Sequence, residues 1–129
     1  METKQNKQTV MLIDDDNILR KMLKKELSKE NLTIVEAKNG LEALDALKTV
    51  KPNLIVLDFV MPKMGGLEFI KKLRQNKNLI ATPVILLTQI EYDEKIAEVM
   101  KMGACSFLVK SKWELSDVVK KIKEKLVLR

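Results

Sequence analysis

Five short apolar runs alternate along the chain with longer stretches in which apolar residues recur at three- and four-residue spacing. Short buried runs separated by amphipathic stretches are the pattern of βα units feeding a parallel sheet. The runs Val10 to Ile13, Leu32 to Val35, Leu54 to Leu57, Val84 to Leu87 and Cys105 to Val109 are the expected strands. Between the first two, Ile18, Leu19, Met22, Leu23 and Leu27 predict a helix from about Asn17 to Lys29, capped by Asp16 or Asn17. Asn39-Gly40 opens a second helix that carries Leu41, Leu44 and Leu47 inward. Beyond the loop Met61 to Gly66, a third helix buries Leu67, Ile70 and Leu73. A weaker pattern, Ile96, Val99 and Met100, predicts a fourth over Tyr92 to Lys101, with Gly103 as its stop. The last carries Leu115, Val118, Val119, Ile122 and Leu126 at helical intervals, and Trp113 is expected to anchor its start against the core.

The polar residues that end these runs carry the chemistry. Asp14, Asp15 and Asp16 follow the first strand, Asp58 the third, Thr88 the fourth and Lys110 the fifth. In an open α/β sheet the C-terminal ends of neighbouring strands converge on one crevice, so carboxylates distant in sequence meet there. Crowded carboxylates repel unless a cation sits among them, and an all-oxygen set suits Mg²⁺ far better than zinc. Asp58 is the candidate nucleophile, because a carboxylate beside such a cation can attack phosphorus and form an acyl phosphate. Lys110 and Thr88 can contact the other phosphoryl oxygens. Asp16 is read as a helix cap rather than as part of this group.

Composition narrows the chemistry further. With 129 residues the chain is expected to form a single domain over residues 1–129, with a flexible tail over residues 1–8. It contains no histidine, which excludes Ser/His and Cys/His machinery and histidine metal sites. Cys105 is the only cysteine, so no internal disulfide forms, which agrees with a cytoplasmic location. Cys105 and the methionines are read as packing residues. Residues 1–8 have no apolar core of a signal segment, and no stretch is long enough to span a membrane. The net charge is +6, but only 4% of residues are aromatic and no basic cluster is interleaved with them. The lysines are read as solvated faces of the first and last helices, so neither nucleic acid nor membrane is expected as a partner.

Taken in order, four segments resemble the receiver domain of two-component response regulators. Val10-Met11-Leu12-Ile13-Asp14-Asp15-Asp16 is similar to its first strand and acidic pair, and Leu57-Asp58-Phe59-Val60-Met61-Pro62 to its phosphoacceptor strand. Leu86-Leu87-Thr88, and Gly103-Ala104 with Phe107-Leu108-Val109-Lys110, complete the set over essentially the whole chain. The resemblance implies a flavodoxin-like, doubly wound fold: a five-stranded parallel sheet in order 2-1-3-4-5 with five flanking helices. It also implies a phosphoacceptor signalling domain rather than an enzyme, with Asp58 phosphorylated by a sensor histidine kinase or a phosphotransfer protein. Asp15, Asp58 and the Val60 carbonyl would hold Mg²⁺ directly and Asp14 through water. Thr88 would be the switch hydroxyl and Phe107 its aromatic partner. Output would appear on the face of the fourth helix, fifth strand and fifth helix, toward an unidentified protein or a second copy in a phosphorylated homodimer.

The chain departs from that family at several positions. Ser111 replaces the usual proline after the lysine, which leaves a trans or a strained peptide open there; Lys110 is still expected to reach the pocket. Gly65 stands where an acidic residue is frequent, and Gln89 where a small one is. Val60 and Ile90 are both apolar at positions that control water access, which implies slow self-dephosphorylation. Three rivals follow. The changes at Ser111, Gly65 and Gln89 suit a degenerate adaptor that binds partners without phosphorylation. Asp14-x-Asp16 superficially resembles the nucleophile motif of haloacid dehalogenase enzymes, although no later acidic metal motif falls where theirs would. A flavodoxin-like nucleotide binder would need glycines after the first strand, and they are absent.

Overall fold

The computed structural model describes residues 7–61, 63–89, 93–103 and 106–126. Its element order is β1 (Gln8–Ile13), α1 (Asn17–Leu27), β2 (Leu32–Ala37), α2 (Gly40–Ala46), β3 (Leu54–Asp58), α3 (Gly66–Leu73), β4 (Val84–Thr88), α4 (Glu94–Lys101), β5 (Ser106–Val109) and α5 (Leu115–Leu126). The strands form one parallel sheet in the order β2-β1-β3-β4-β5. This is the doubly wound architecture expected above. It follows from strands apolar on both faces, which must be covered by helices on both sides.

Alternation along each strand divides the core in two. Met11, Ile13, Ile55, Leu57, Val84 and Leu86 face α2, α3 and α4, whose Ala43, Phe69, Ile70, Leu73, Ile96 and Val99 complete that layer. Val10, Leu12, Leu54, Val56, Ile85 and Leu87 face Leu23 and Leu27 of α1 and Val118, Ile122 and Leu126 of α5. Both layers leave β3 and β4 free to carry polar groups only at their termini.

Several expectations need correction. Gln8 belongs to β1, within the tail expected over residues 1–8, and its side-chain amide donates to the Leu126 carbonyl at 3.2 Å; residues 1–6 lie outside the described ones. Of the apolar positions read into α1, Ile18 is 75% exposed and Met22 47% exposed. The helix instead buries Arg20, 4% exposed, because Glu36 of β2 neutralises it. Leu41 faces solvent rather than the core, and Trp113 is 40% exposed, following a 3-10 turn over Lys110–Lys112 instead of anchoring α5. Phe69, not noticed in the sequence, is a fully buried member of α3. Asp93 caps α4, which starts at Glu94, and Gly103 ends it at φ +95°. Tyr92, Cys105, Pro62 and Ile90 lie outside the described residues.

At the edge of the sheet opposite the acidic strand ends, Arg74 fastens the chain. Its guanidinium donates to the carbonyls of Met102, Leu79, Thr82 and Gly103 at 2.8 to 3.0 Å, tying the end of α3 to the turns before β4 and β5.

Glu36 shows how strongly local charge shapes this fold. Burial alone would raise its pKa, but hydrogen bonds from Arg20, Lys21 and Lys24 outweigh that and lower it to about 2. A lowered carboxylate pKa contributes stability above its unfolded value and loses it as pH falls toward the folded one. Glu36→Gln is therefore expected to cost about 1 to 2 kcal/mol near pH 6, discounted for the exposed lysines. The difference from wild type should shrink between pH 4.5 and about 2, read from urea midpoints.

Candidate functional site

Strand register brings the chemistry together. Ile13 of β1 pairs with Leu57 of β3, so Asp14 and Asp58 leave adjacent strands at the same level. Leu87 pairs with Asp58 and Thr88 with Val109, which sets Thr88 and Lys110 beside them. Carboxylate oxygens of Asp14, Asp15 and Asp58 lie within 4.8 Å of one another, Asp14 and Asp58 buried and Asp15 exposed. The Lys110 ammonium stands 3.1 Å from Asp14 Oδ2 and 3.6 Å from Asp58 Oδ2. It does so although Ser111 follows it and no described peptide bond is cis; the long side chain spans the distance.

The other expected residues take their places around this group. Thr88 is fully buried at the end of β4. Phe107, opposite Leu86, is partly buried and packs against the core layer beneath the site. The Val60 amide donates to Asp58 Oδ1 at 3.4 Å, placing the Val60 carbonyl on the turn that leaves the acceptor strand, while its side chain faces solvent. Asp16 stands apart from the cluster: its Oδ1 accepts from the amides of Ile18 and Leu19 and caps α1. The Asp14-x-Asp16 pair therefore does not form the two-carboxylate nucleophile motif.

The loop after β3 is held by its methionines. Met61 and Met64 are buried, and Met64 lies against Gly40 at the start of α2. Gly66 fits where a Cβ would meet Phe59 at 2.7 Å, whereas a Cβ at Gly65 would meet nothing within 4 Å. Gly65 is the N-cap position of α3 and offers no side-chain cap.

Electrostatics at this site favour a cation. Burial, then the charge of Asp14, raise the Asp58 pKa; Lys110 lowers it, Asp15 raises it through a hydrogen bond, the Val60 amide lowers it, and the result is about 7. Asp14 Oδ2 is buried and, although within ion-pair reach of Lys110, accepts no well-directed hydrogen bond. A buried carboxylate oxygen lacking a donor, beside two further carboxylates, fits a hard divalent cation with oxygen ligands. Reading the strand ends alone missed Arg20 and Glu36, which brace this cluster from behind. An acid inside the apolar run Ile34-Val35-Glu36-Ala37 was the available signal, since a half-buried carboxylate demands a cationic partner.

The chain matches the family model of the response regulator receiver domain over residues 10–123. It is 33% identical over 123 residues to the two-component response regulator ARR17 of Arabidopsis thaliana, covering 86% of this chain and 80% of that protein. It is 34% identical over 103 residues to the alkaline phosphatase synthesis transcriptional regulatory protein PhoP of Bacillus subtilis. The latter match covers 78% of this chain but only 41% of the regulator, so the chain spans about two-fifths of that relative's length. Among solved structures, the chemotaxis response regulator CheY4 of Vibrio cholerae superposes with a TM-score of 0.84 at 28% identity, over 93% of this chain and 99% of that one.

A carboxyl pKa raised by folding contributes stability that is full below its unfolded value and lost as pH rises through the folded one. For Asp58 that window runs from 3.8 to about 7. Without divalent cations, Asp58→Asn is expected to raise the Tm at pH 8 by about 3 to 6 °C and to leave it unchanged near pH 4. Mg²⁺ should raise the wild-type Tm at pH 8 and lose that effect in acid. Thermal unfolding in EDTA and in Mg²⁺ at both pH values reads all four cases.

Proposed function

The chain belongs to the response regulator receiver family, a family of signalling domains, and from that premise we propose that it accepts a phosphoryl group on Asp58 in a Mg²⁺-dependent reaction. The donor is the phosphohistidine of a sensor kinase or phosphotransfer protein. The observation that carries this reading is the Lys110 ammonium held between the buried Asp14 and Asp58, with the exposed Asp15 completing a group of three carboxylates. Residues 1–129 then act as one receiver unit.

Each residue has a derivable task. Asp58 attacks phosphorus in line as the P–N bond of the donor breaks, and the imidazole leaves with the bonding pair and takes up a proton. With a pKa near 7, Asp58 is partly protonated at neutral pH and nucleophilic only when ionised, so positive charge near it is a requirement. Lys110 supplies part of that charge and can follow the phosphoryl oxygens as they approach. Held by Asp15, Asp58 and the Val60 carbonyl, with Asp14 beside it, Mg²⁺ would neutralise the same oxygens. Thr88 Oγ1 sits on the neighbouring strand, within the same buried edge, where it can donate to the new phosphoryl group.

The acyl phosphate adds about −1.5 to −2 charge to a confined site. Movement of Thr88 toward it vacates space that Phe107, half-buried on the next strand, can take up, which couples the site to the face of α4, β5 and α5. That face is the proposed output surface. Lys110 lying in the pocket weighs against the adaptor alternative, which rested on the serine at position 111 together with Gly65 and Gln89.

Intact mass after incubation with Mg²⁺ and phosphoramidate tests the reading. One phosphoryl group is expected on the wild type and none on Asp58→Asn or in EDTA. No gain in the wild type, even with a phosphorylated histidine donor, would favour the adaptor. Once loaded, the phosphoryl group should be long-lived, because the exposed apolar Val60 beside it does not order an attacking water. Val60→Gln is expected to shorten the lifetime several-fold, followed by the decay of the phosphorylated mass.

A further inference from the structure

We propose that Arg20 is a positioning residue for the cation site: its buried guanidinium clamps the turn that carries Asp14 and Asp15. The inference rests on the reading of that turn as a divalent-cation centre. Arg20 touches no reacting group. Its Nη1 donates to the backbone carbonyl of Asp14, its Nη2 to Asn17 Oδ1 at 2.6 Å and its Nε to Glu36 Oε1 at 2.9 Å. One rigid fork thus joins the end of β1, the first turn of α1 and β2.

The rest of the turn depends on the same point. The Asp14 amide donates to Ala37 of β2 at 3.1 Å, and the Asp16 amide to Asp14 Oδ1 at 2.8 Å. The Arg20 amide closes the first helical bond to the Asp16 carbonyl at 3.0 Å. Only Arg20 among these contacts grips the Asp14 carbonyl, so it orients the peptide from which the exposed Asp15 projects. Groups that hold ligands from behind commonly change metal affinity by roughly 10- to 100-fold.

Charge and positioning predict opposite signs, which makes the role testable. A positive side chain close behind a cation site repels the cation, so on charge alone its removal would tighten binding. Glu36, 2.9 Å from the guanidinium, offsets part of that repulsion, although it is shared with the more exposed Lys21 and Lys24. What Arg20 contributes is then geometry, and its loss should weaken binding.

Mn²⁺, followed by its electron paramagnetic resonance signal at pH 8, is the probe. Arg20→Met is expected to weaken Mn²⁺ binding roughly tenfold, with Arg20→Lys in between, at a temperature where near-UV circular dichroism shows both folded. Arg74→Met removes a guanidinium of similar reach at the opposite edge of the sheet, so it should lower the Tm and leave Mn²⁺ binding as in wild type. Binding by Arg20→Met equal to or tighter than wild type overturns the proposal. Where Arg20→Met does not fold, Asn17→Ala takes its place: a several-fold loss supports the clamp and an unchanged affinity overturns it. Absence of Mn²⁺ binding by the wild type itself removes the cation-centre reading and the clamp with it, an outcome distinct from wild-type binding that the variants leave unchanged.

Discussion

Like charge forced together at the carboxyl edge of the sheet is the constraint around which this protein is organised. Asp14 and Asp58 leave adjacent strands whose register is set by Ile13 and Leu57, both buried in the core, so the carboxylates cannot move apart without unpacking the layer beneath. Asp15 adds a third. The fold meets the repulsion with Lys110 and with an Asp58 pKa raised by burial and by Asp14 to about 7, and leaves the remainder unsatisfied at Asp14 Oδ2. A site held in this state suits positive charge, which is what the proposed phosphoryl chemistry requires.

The two ends of the sheet divide the work. At the acidic end, the polar groups stand on the last residues of the strands or on the turns that follow them. At the other end, Arg74, at the end of α3, binds carbonyls in the turn before β4 and in the turn that follows α4, so the lower ends of these elements are held as one piece. Between them lie strands sealed on both faces. On the proposed function, a disturbance at Asp58 would travel sideways, through Thr88 and Val109 to β5, rather than down through the core.

What could be read from the residues was governed by burial. Strands sealed on both faces leave an unambiguous apolar run, so β3 and β4 and the polar residues that end them were legible. The helix faces were less so, because periodicity counts apolar residues and cannot see a charge that folds inward with its partner. In α1 the apolar Ile18 and Met22 stay in solvent while Arg20 goes in, a choice made by Glu36 on another element. Trp113 misled for a related reason: a large aromatic suggests burial, but the turn at Lys110–Lys112 is directed by the lysine reaching inward, and the indole is left outside. The methionines of the loop after β3 were read as packing residues and are buried, but with no periodic signal the contact of Met64 with Gly40 was visible only once α2 was in place.

Adjacent glycines after the acceptor strand have opposite fates. Gly66 is closed to substitution by Phe59, but Gly65 opens onto empty space with an extended backbone that any residue can adopt. Position 65 is therefore a vacancy on the rim of the site that can be filled with no penalty in packing, and a serine or aspartate there would also cap α3. A side chain at that rim would change the surface the site presents while the buried group below it stays intact.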